Sequence, residues 1–197
     1  MSELTDVLHS TDSKIFIVSL PKTGTKSMCS MLKTLQYNIK HCPSISLMTY
    51  LQDGVTQVFA DTPIYCPSIF SVACTISSNK FIYIDRNIET WLDSYRRTRL
   101  ADNYMDYMSR DYMEFAGSRL DKKSLVEIFG GVPWSDEMAT AAHYRHREQV
   151  FNVIPKEQLL VYKFEEGWES LCKFLGKEIP TSELPHINKN ALFDPII

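Results

Sequence analysis

An apolar, β-forming run over residues 15–20 (IFIVSL) breaks at Pro21 into a polar loop, KTGTKS, which passes directly into a helical pattern. Met28, Met31, Leu32 and Leu35 recur on one face of that helix. A strand end, a tight loop and a helix start bring backbone N–H groups and the positive end of a helix dipole to one point. Lys22 and Lys26, the hydroxyls of Thr23, Thr25 and Ser27, and Gly24 between them complete an anion cradle. The segment requires a fold in which a strand delivers its carboxyl end to a helix, and it points to a phosphate-like ligand.

The rest of the chain repeats that unit. Strands are predicted over 37–41, 57–60, 81–84 and 159–162, with helices over 45–52, 64–76, 88–99 and 135–153. Ser135 is the expected N-cap of the last of these, and a further amphipathic helix ends at Gly176 as its C-cap. Alternation of this kind implies a parallel sheet covered on both faces, with ligands at the carboxyl ends of the strands. With only 7 glycines and no linker-like stretch, residues 1–197 read as a single domain. Residues 100–134 interrupt the alternation with Tyr104, Met105, Tyr107, Met108, Tyr112, Met113 and Phe115 among acids. This segment is expected to be a helical insertion, either an ordinary aromatic-burying pair or a lid facing a second substrate.

Composition narrows the partners. The formal net charge of −3 offers no basis for wholesale nucleic-acid binding. Five cysteines without C-x-x-C spacing suit reduced thiols better than disulfides or zinc. The first residues, MSELTDVLHSTDSK, lack the basic and apolar regions of a signal peptide, and no segment approaches a membrane span. A cytoplasmic location is therefore expected.

The loop departs from the nucleotide-triphosphatase pattern G-x-x-x-x-G-K-[ST]: Ser19 stands at the first glycine position, and Thr25 separates Gly24 from Lys26. Its P-K-T-G-T form resembles the 5′-phosphosulfate loop of PAPS-dependent sulfotransferases, and the T-G-T-K-S run is similar to that of their single-domain, bacterial-type branch. A second stretch, residues 80–95 (KFIYIDRNIETWLDSY), places Arg86 at a strand end and Ser94 eight residues on, about two helical turns away. This resembles the family's 3′-phosphate segment. A third, residues 155–176 (PKEQLLVYKFEEGWESLCKFLG), resembles its late strand and following helix.

The resemblance implies a P-loop-like three-layer α/β sandwich and transfer of a sulfuryl group from PAPS, with PAP as product, to a hydroxyl of a carbohydrate, lipid or small metabolite. It assigns Lys22 to the leaving oxygen, residues 23–27 (Thr23, Gly24, Thr25, Lys26, Ser27) to the phosphosulfate, and Arg86 with Ser94 to the 3′-phosphate. Tyr162 falls where the family places a residue beside the adenine, although a tyrosine at a strand end is also a common core residue. Asp61 stands where cytosolic members carry a histidine base. It serves either as the base or as a cap for the next helix; His41, His143 and His146 are alternatives. No metal is required.

Two departures accompany the resemblance. The family's C-terminal Arg-Lys-Gly clamp is absent, with Lys189 of PHINKN the nearest substitute, and no tryptophan follows the loop. Two other readings stay open. One is an ATP- and Mg-dependent phosphotransferase in which Asp85 plays the metal-binding aspartate; the other is a catalytically silent nucleotide-binding protein.

Overall fold

A computed structural model of the chain describes residues 13–41, 54–99, 127–128, 130 and 135–185. The helix expected over 45–52, nearly all of the insertion over 100–134, Cys42 and Lys189 lie outside the described residues. Among the described residues, five strands and five α-helices follow in chain order: β1 (Ile15–Ile17), α1 (Thr25–Thr34), β2 (Ile39–His41), β3 (Val58–Ala60), α2 (Pro67–Ala73), β4 (Lys80–Ile84), α3 (Ile88–Arg99), α4 (Asp136–Val153), β5 (Leu159–Tyr162) and α5 (Gly167–Leu175).

The strands form one sheet in the order β2-β3-β1-β4-β5, and every pair is parallel. The register sets Ile15 opposite Val58 on one side and Lys80 on the other, so β1 is the central strand. Both faces are covered, as the alternation implied. Ile15 and Ile17 point into a cluster with Met28, Met31 and Leu32 of α1 and Leu171 and Leu175 of α5. Phe16 and Val18 point the opposite way, toward Phe70 of α2 and Val150 of α4. Phe16 stacks between Phe59 and Phe81, with ring centroids 5.5 and 5.4 Å away. Each large side chain so buried contributes about 1.5–3 kcal/mol relative to exposure.

A third cluster, Leu20, Tyr65, Trp91, Tyr95, Ala139 and Ala142, gathers residues beyond the carboxyl ends of β1, β3 and β4 with two alanines of α4. Leu20 anchors the loop after β1 in it. Ser135 caps α4 as expected, its Oγ accepting the Met138 N–H at 3.2 Å. Arg96 ties α3 to the same helix start through Asp136 (Nη2 to Oδ2, 2.8 Å) while also pairing with Asp93. Gly176 closes α5 at φ 66°, a left-handed conformation that glycine adopts without steric penalty.

The expected helix over 64–76 is shorter: residues before Pro67 form turns, and Pro67 at the first helical position sets the start. Likewise β1 ends at Ile17; two residues on, the Ser19 hydroxyl accepts the Ile84 N–H, so a side chain takes over from the regular ladder. Among the described residues, no helix is long and apolar enough to cross a membrane.

Candidate active site at the carboxyl end of the central strand

The chain leaves β1 toward β2 and β3 on one side, then returns past β1 to β4 on the other. The crevice where such a reversal occurs is where open parallel sheets receive ligands. The loop after β1 fills it.

Three successive carbonyls fix that loop. Thr23 Oγ1 donates to Leu20 O at 2.8 Å, Trp91 Nε1 donates to Pro21 O at 2.9 Å, and Arg86 Nη1 donates to Lys22 O. Each carbonyl oxygen is the negative end of a peptide dipole, and all three are occupied by donors from the loop itself or from the β4–α3 unit. Lys22 holds φ 71° and Gly24 φ 108°. Left-handed backbone at a residue with a side chain costs of order 1–3 kcal/mol, and it persists only where the surroundings enforce it. Gly24 is the N-cap of α1 and supplies no capping side chain, and no acid lies in the helix's first turn. The positive end of this dipole is uncompensated by nearby carboxylates on its own helix.

The charges around the loop are lopsided. Burial lowers the Lys22 ammonium below the ordinary lysine value; Lys26, Arg86 and Arg97 push it the same way, and Asp61 opposes them. Arg86 is itself lowered, first by burial and then by Arg97. Four cations therefore share one region with a single opposing carboxylate among these influences, an arrangement that a polyanion relieves. The backbone of the cradle is closely packed from one side. A Cβ built on Gly24 would lie 2.6 Å from Phe164 Cε2, so the loop passes too near that ring for any side chain.

Thr23, Gly24, Thr25, Lys26 and Ser27 all lie in the loop or the first turn of α1, with Thr23 and Thr25 buried and Lys26 exposed. Arg86 and Ser94 are half-buried on the β4–α3 unit, and the Arg86 bond to Lys22 joins that unit to the loop. Asp61 follows β3 on the opposite flank at φ 65°, its Oδ2 3.3 Å from His41 Nε2.

Tyr162 sits in the core. Its side chain is fully buried, and its hydroxyl donates to Gly167 O at 2.8 Å within the core formed with α1 and α5. The aromatic ring that reaches the loop is Phe164, two residues on. Phe164 lies beyond β5 in the short turn of 3-10 helix over Phe164–Glu166, and the two rings meet edge to face at 5.4 Å. His143 and His146 are also core residues. His146 Nε2 lies 2.9 Å from Tyr65 O, and burial pushes its imidazole down to about 4; His143 packs on Trp91 at 4.7 Å. Asp85 lies 3.9 Å from both Arg147 Nε and Lys163 Nζ, a cationic setting unlike that of a magnesium ligand. Among the described residues, no group of three or more His, Cys, Asp or Glu could hold a metal ion.

Sequence reasoning missed three contributors and one pairing. Arg97, exposed on α3, lies three residues after Ser94 and acts on both Lys22 and Arg86. Trp91 and Phe164 make long-range contacts that carry no local signature. His41 was legible as a histidine at a strand end, but its pairing with Asp61 depends on strand order.

A sequence profile described as "Sulfotransferase domain" matches residues 56–193, a stretch that includes Asp61, Arg86 and Ser94 but not the loop after β1. The chain is 25% identical over 210 residues to "Ava biosynthesis cluster protein M" of Aspergillus versicolor, covering 88% of this chain and 80% of that protein. Its fold is similar to that of mouse sulfotransferase SULT7A1 complexed with PAP, with a TM-score of 0.50 and 18% identity over 90% of this chain. The chain spans about two-thirds of that protein's length, 65%. A sulfotransferase from Alicyclobacillus acidocaldarius gives a TM-score of 0.51 and 16% identity, covering 94% of this chain and 87% of the other.

Proposed function

Because this chain belongs to the sulfotransferase domain family, we propose that it transfers a sulfuryl group from PAPS to a hydroxyl of a carbohydrate, lipid or small metabolite. The observation that carries this reading is the hydrogen bond from Arg86 to the Lys22 carbonyl, which joins the two anion-binding segments. PAPS, when bound, supplies the sulfuryl group and a good leaving phosphate. Residues 23–27 would hold its 5′-phosphosulfate through backbone amides and the Thr25 and Ser27 hydroxyls, with Lys26 at the rim. Arg86 and Ser94 would hold the 3′-phosphate, and Arg97 adds charge from the same helix.

Lys22 is assigned to the oxygen that gains charge as the bond to sulfur breaks. Its lowered proton affinity makes the ammonium a stronger acid, so it donates more readily to developing charge. Proton removal from the acceptor falls to the β2–β3 flank, where Asp61 lies. The protein is read as one domain acting in the cytoplasm without a metal. The phosphotransferase alternative has no support in the surroundings of Asp85.

Calorimetric titration with PAP and with ADP, each with and without Mg²⁺, tests the reading. Tight, magnesium-independent binding of PAP is expected. A magnesium-dependent preference for ADP defeats it. An acceptor screen with labelled PAPS, read by mass spectrometry for an added sulfuryl group, then identifies the substrate class.

A further inference from the structure

We propose that His41 is the base that takes the acceptor's proton and that Asp61 is its positioning partner. This rests on the sulfotransferase reading above. The residues come from neighbouring strands. In the parallel register of β2 and β3, His41 lies opposite Ala60, and Asp61 is the next residue. Strands about 4.8 Å apart bring these side chains within reach of each other. Asp61 then takes φ 65°, and its Oδ2 stands 3.3 Å from His41 Nε2.

The carboxylate is held from its other side as well. Oδ1 accepts the Thr62 N–H at 2.8 Å, with the Thr62 hydroxyl at 3.4 Å. Both oxygens of Asp61 therefore face protein groups, which suits orientation better than direct attack on a substrate proton. His41 is the more open member, with 31% of its side chain accessible against 20% for Asp61. Its Nε2 is buried and lies within ion-pair distance of the carboxylate without aligned hydrogen-bond geometry. Such contacts are commonly long in ligand-free sites and tighten on binding. The pair also belongs to the site electrostatically, since Asp61 acts on the charge of Lys22. Imidazole is the side chain most often used as a general base.

With the proton on Nε2, the nitrogen nearer Asp61, Nδ1 carries the lone pair. The acceptor O–H bond breaks with its proton passing to Nδ1 as the oxygen bonds to sulfur. The sulfur–phosphate oxygen bond breaks with its electron pair leaving on PAP. His41 then releases the proton to solvent.

The test uses the whole chain, PAPS, and as acceptors water and a graded series of phenols from the acidic 4-nitrophenol, partly ionised at neutral pH, to phenol. His41→Ala and His41→Gln should slow transfer to phenol and water by about 10²-fold, the usual size of general-base catalysis. Transfer to 4-nitrophenol should stay within a few-fold, and PAP affinity should be unchanged. Asp61→Asn should show the same pattern in kcat with little change in KM, and Asp61→Glu should restore part of the rate. Independently of turnover, long-range ¹H–¹⁵N spectra should show His41 as the Nε2–H tautomer in the wild type and as a mixture in Asp61→Asn. Uniform loss across the acceptor series, no loss, or an Nδ1–H tautomer in the wild type overturns the proposal. Failure of the wild type to bind PAP defeats the sulfotransferase reading and the base role with it, while a tautomer at odds with the pair, alongside normal PAP binding, defeats only the base.

Discussion

Arg86, just beyond β4, donates to the backbone carbonyl of Lys22 in the loop after β1, across 64 residues of chain. One guanidinium thus shapes the loop and remains a cation beside it. The same side chain is depressed by burial and by Arg97, so it stands in an environment that favours a bound anion.

Replacing Arg86 should therefore cost more than a single ligand contact. Arg86→Ala removes a charge-assisted bond to an anion and the donor to Lys22 O, and an expected loss of about 2–4 kcal/mol corresponds to roughly 30- to 1000-fold in PAP affinity. Arg86→Lys keeps the charge without the planar fork and should recover only part of it. Calorimetry on both variants checks this; equal affinity for Arg86→Lys and wild type would contradict the role given to the fork.

Gly24→Ala should lose PAP binding and stability together. The backbone stands at φ 108°, and the new methyl group would meet Phe164 Cε2 at 2.6 Å. A cost of about 1–3 kcal/mol is expected from the conformation alone. Adding Phe164→Leu should relieve the clash but not the torsion, so urea unfolding should show partial rescue. Complete rescue would mean that the ring, and not the backbone, dictates glycine.

Binding should take up protons at alkaline pH. Lys22 is lowered by burial and by three neighbouring cations in the ligand-free protein, and a polyanion raises it again. A ligand that raises a group's proton affinity binds more weakly as pH climbs past that group's free value. PAP affinity should fall at high pH, and calorimetry in buffers of different ionisation enthalpy should register the uptake. Lys22→Ala should abolish the uptake and slow PAPS turnover by about 10²-fold or more.

The core should weaken in mild acid. His146 is pushed down to about 4 by burial, while the unfolded chain protonates near about 6.5. Because the folded value is the lower one, its contribution is complete above about pH 6.5 and declines as pH falls toward 4. From pH 7 to pH 5 the loss is about 2 kcal/mol. Urea titrations at the two pH values should show it, and His146→Gln should flatten the difference.

How much of this could be read from residues alone tracks the range of each interaction. The β1–loop–α1 unit was visible because its pattern is local: an apolar run, a proline, a glycine, and methionines at helical spacing. So was α4, whose Ser135 cap precedes its first turn. Parallel order was inferred from alternation and is what the sheet shows. That Tyr162 is enclosed while Phe164 beyond it reaches Gly24 was not legible, because local spacing does not show how the turn after β5 packs against the loop after β1. The pairing of His41 with Asp61 was invisible for a different reason: β2 and β3 are neighbours only after β3 inserts beside β1, a choice made by the packing of the whole sheet. Arg96 and Arg97 look alike in sequence, yet one is spent on Asp93 and Asp136 and the other bears on Lys22.

The central position of β1 bears on how such a chain can change. Residues beyond β4 lie on one flank of that strand, and those beyond β2 and β3 lie on the other. In the proposed reading, mutations on the second flank other than at Asp61, which bears on Lys22, can redirect which molecule receives the group while leaving Arg86 and Ser94 in place. A molecule divided in this way can diversify on one side while staying constant on the other.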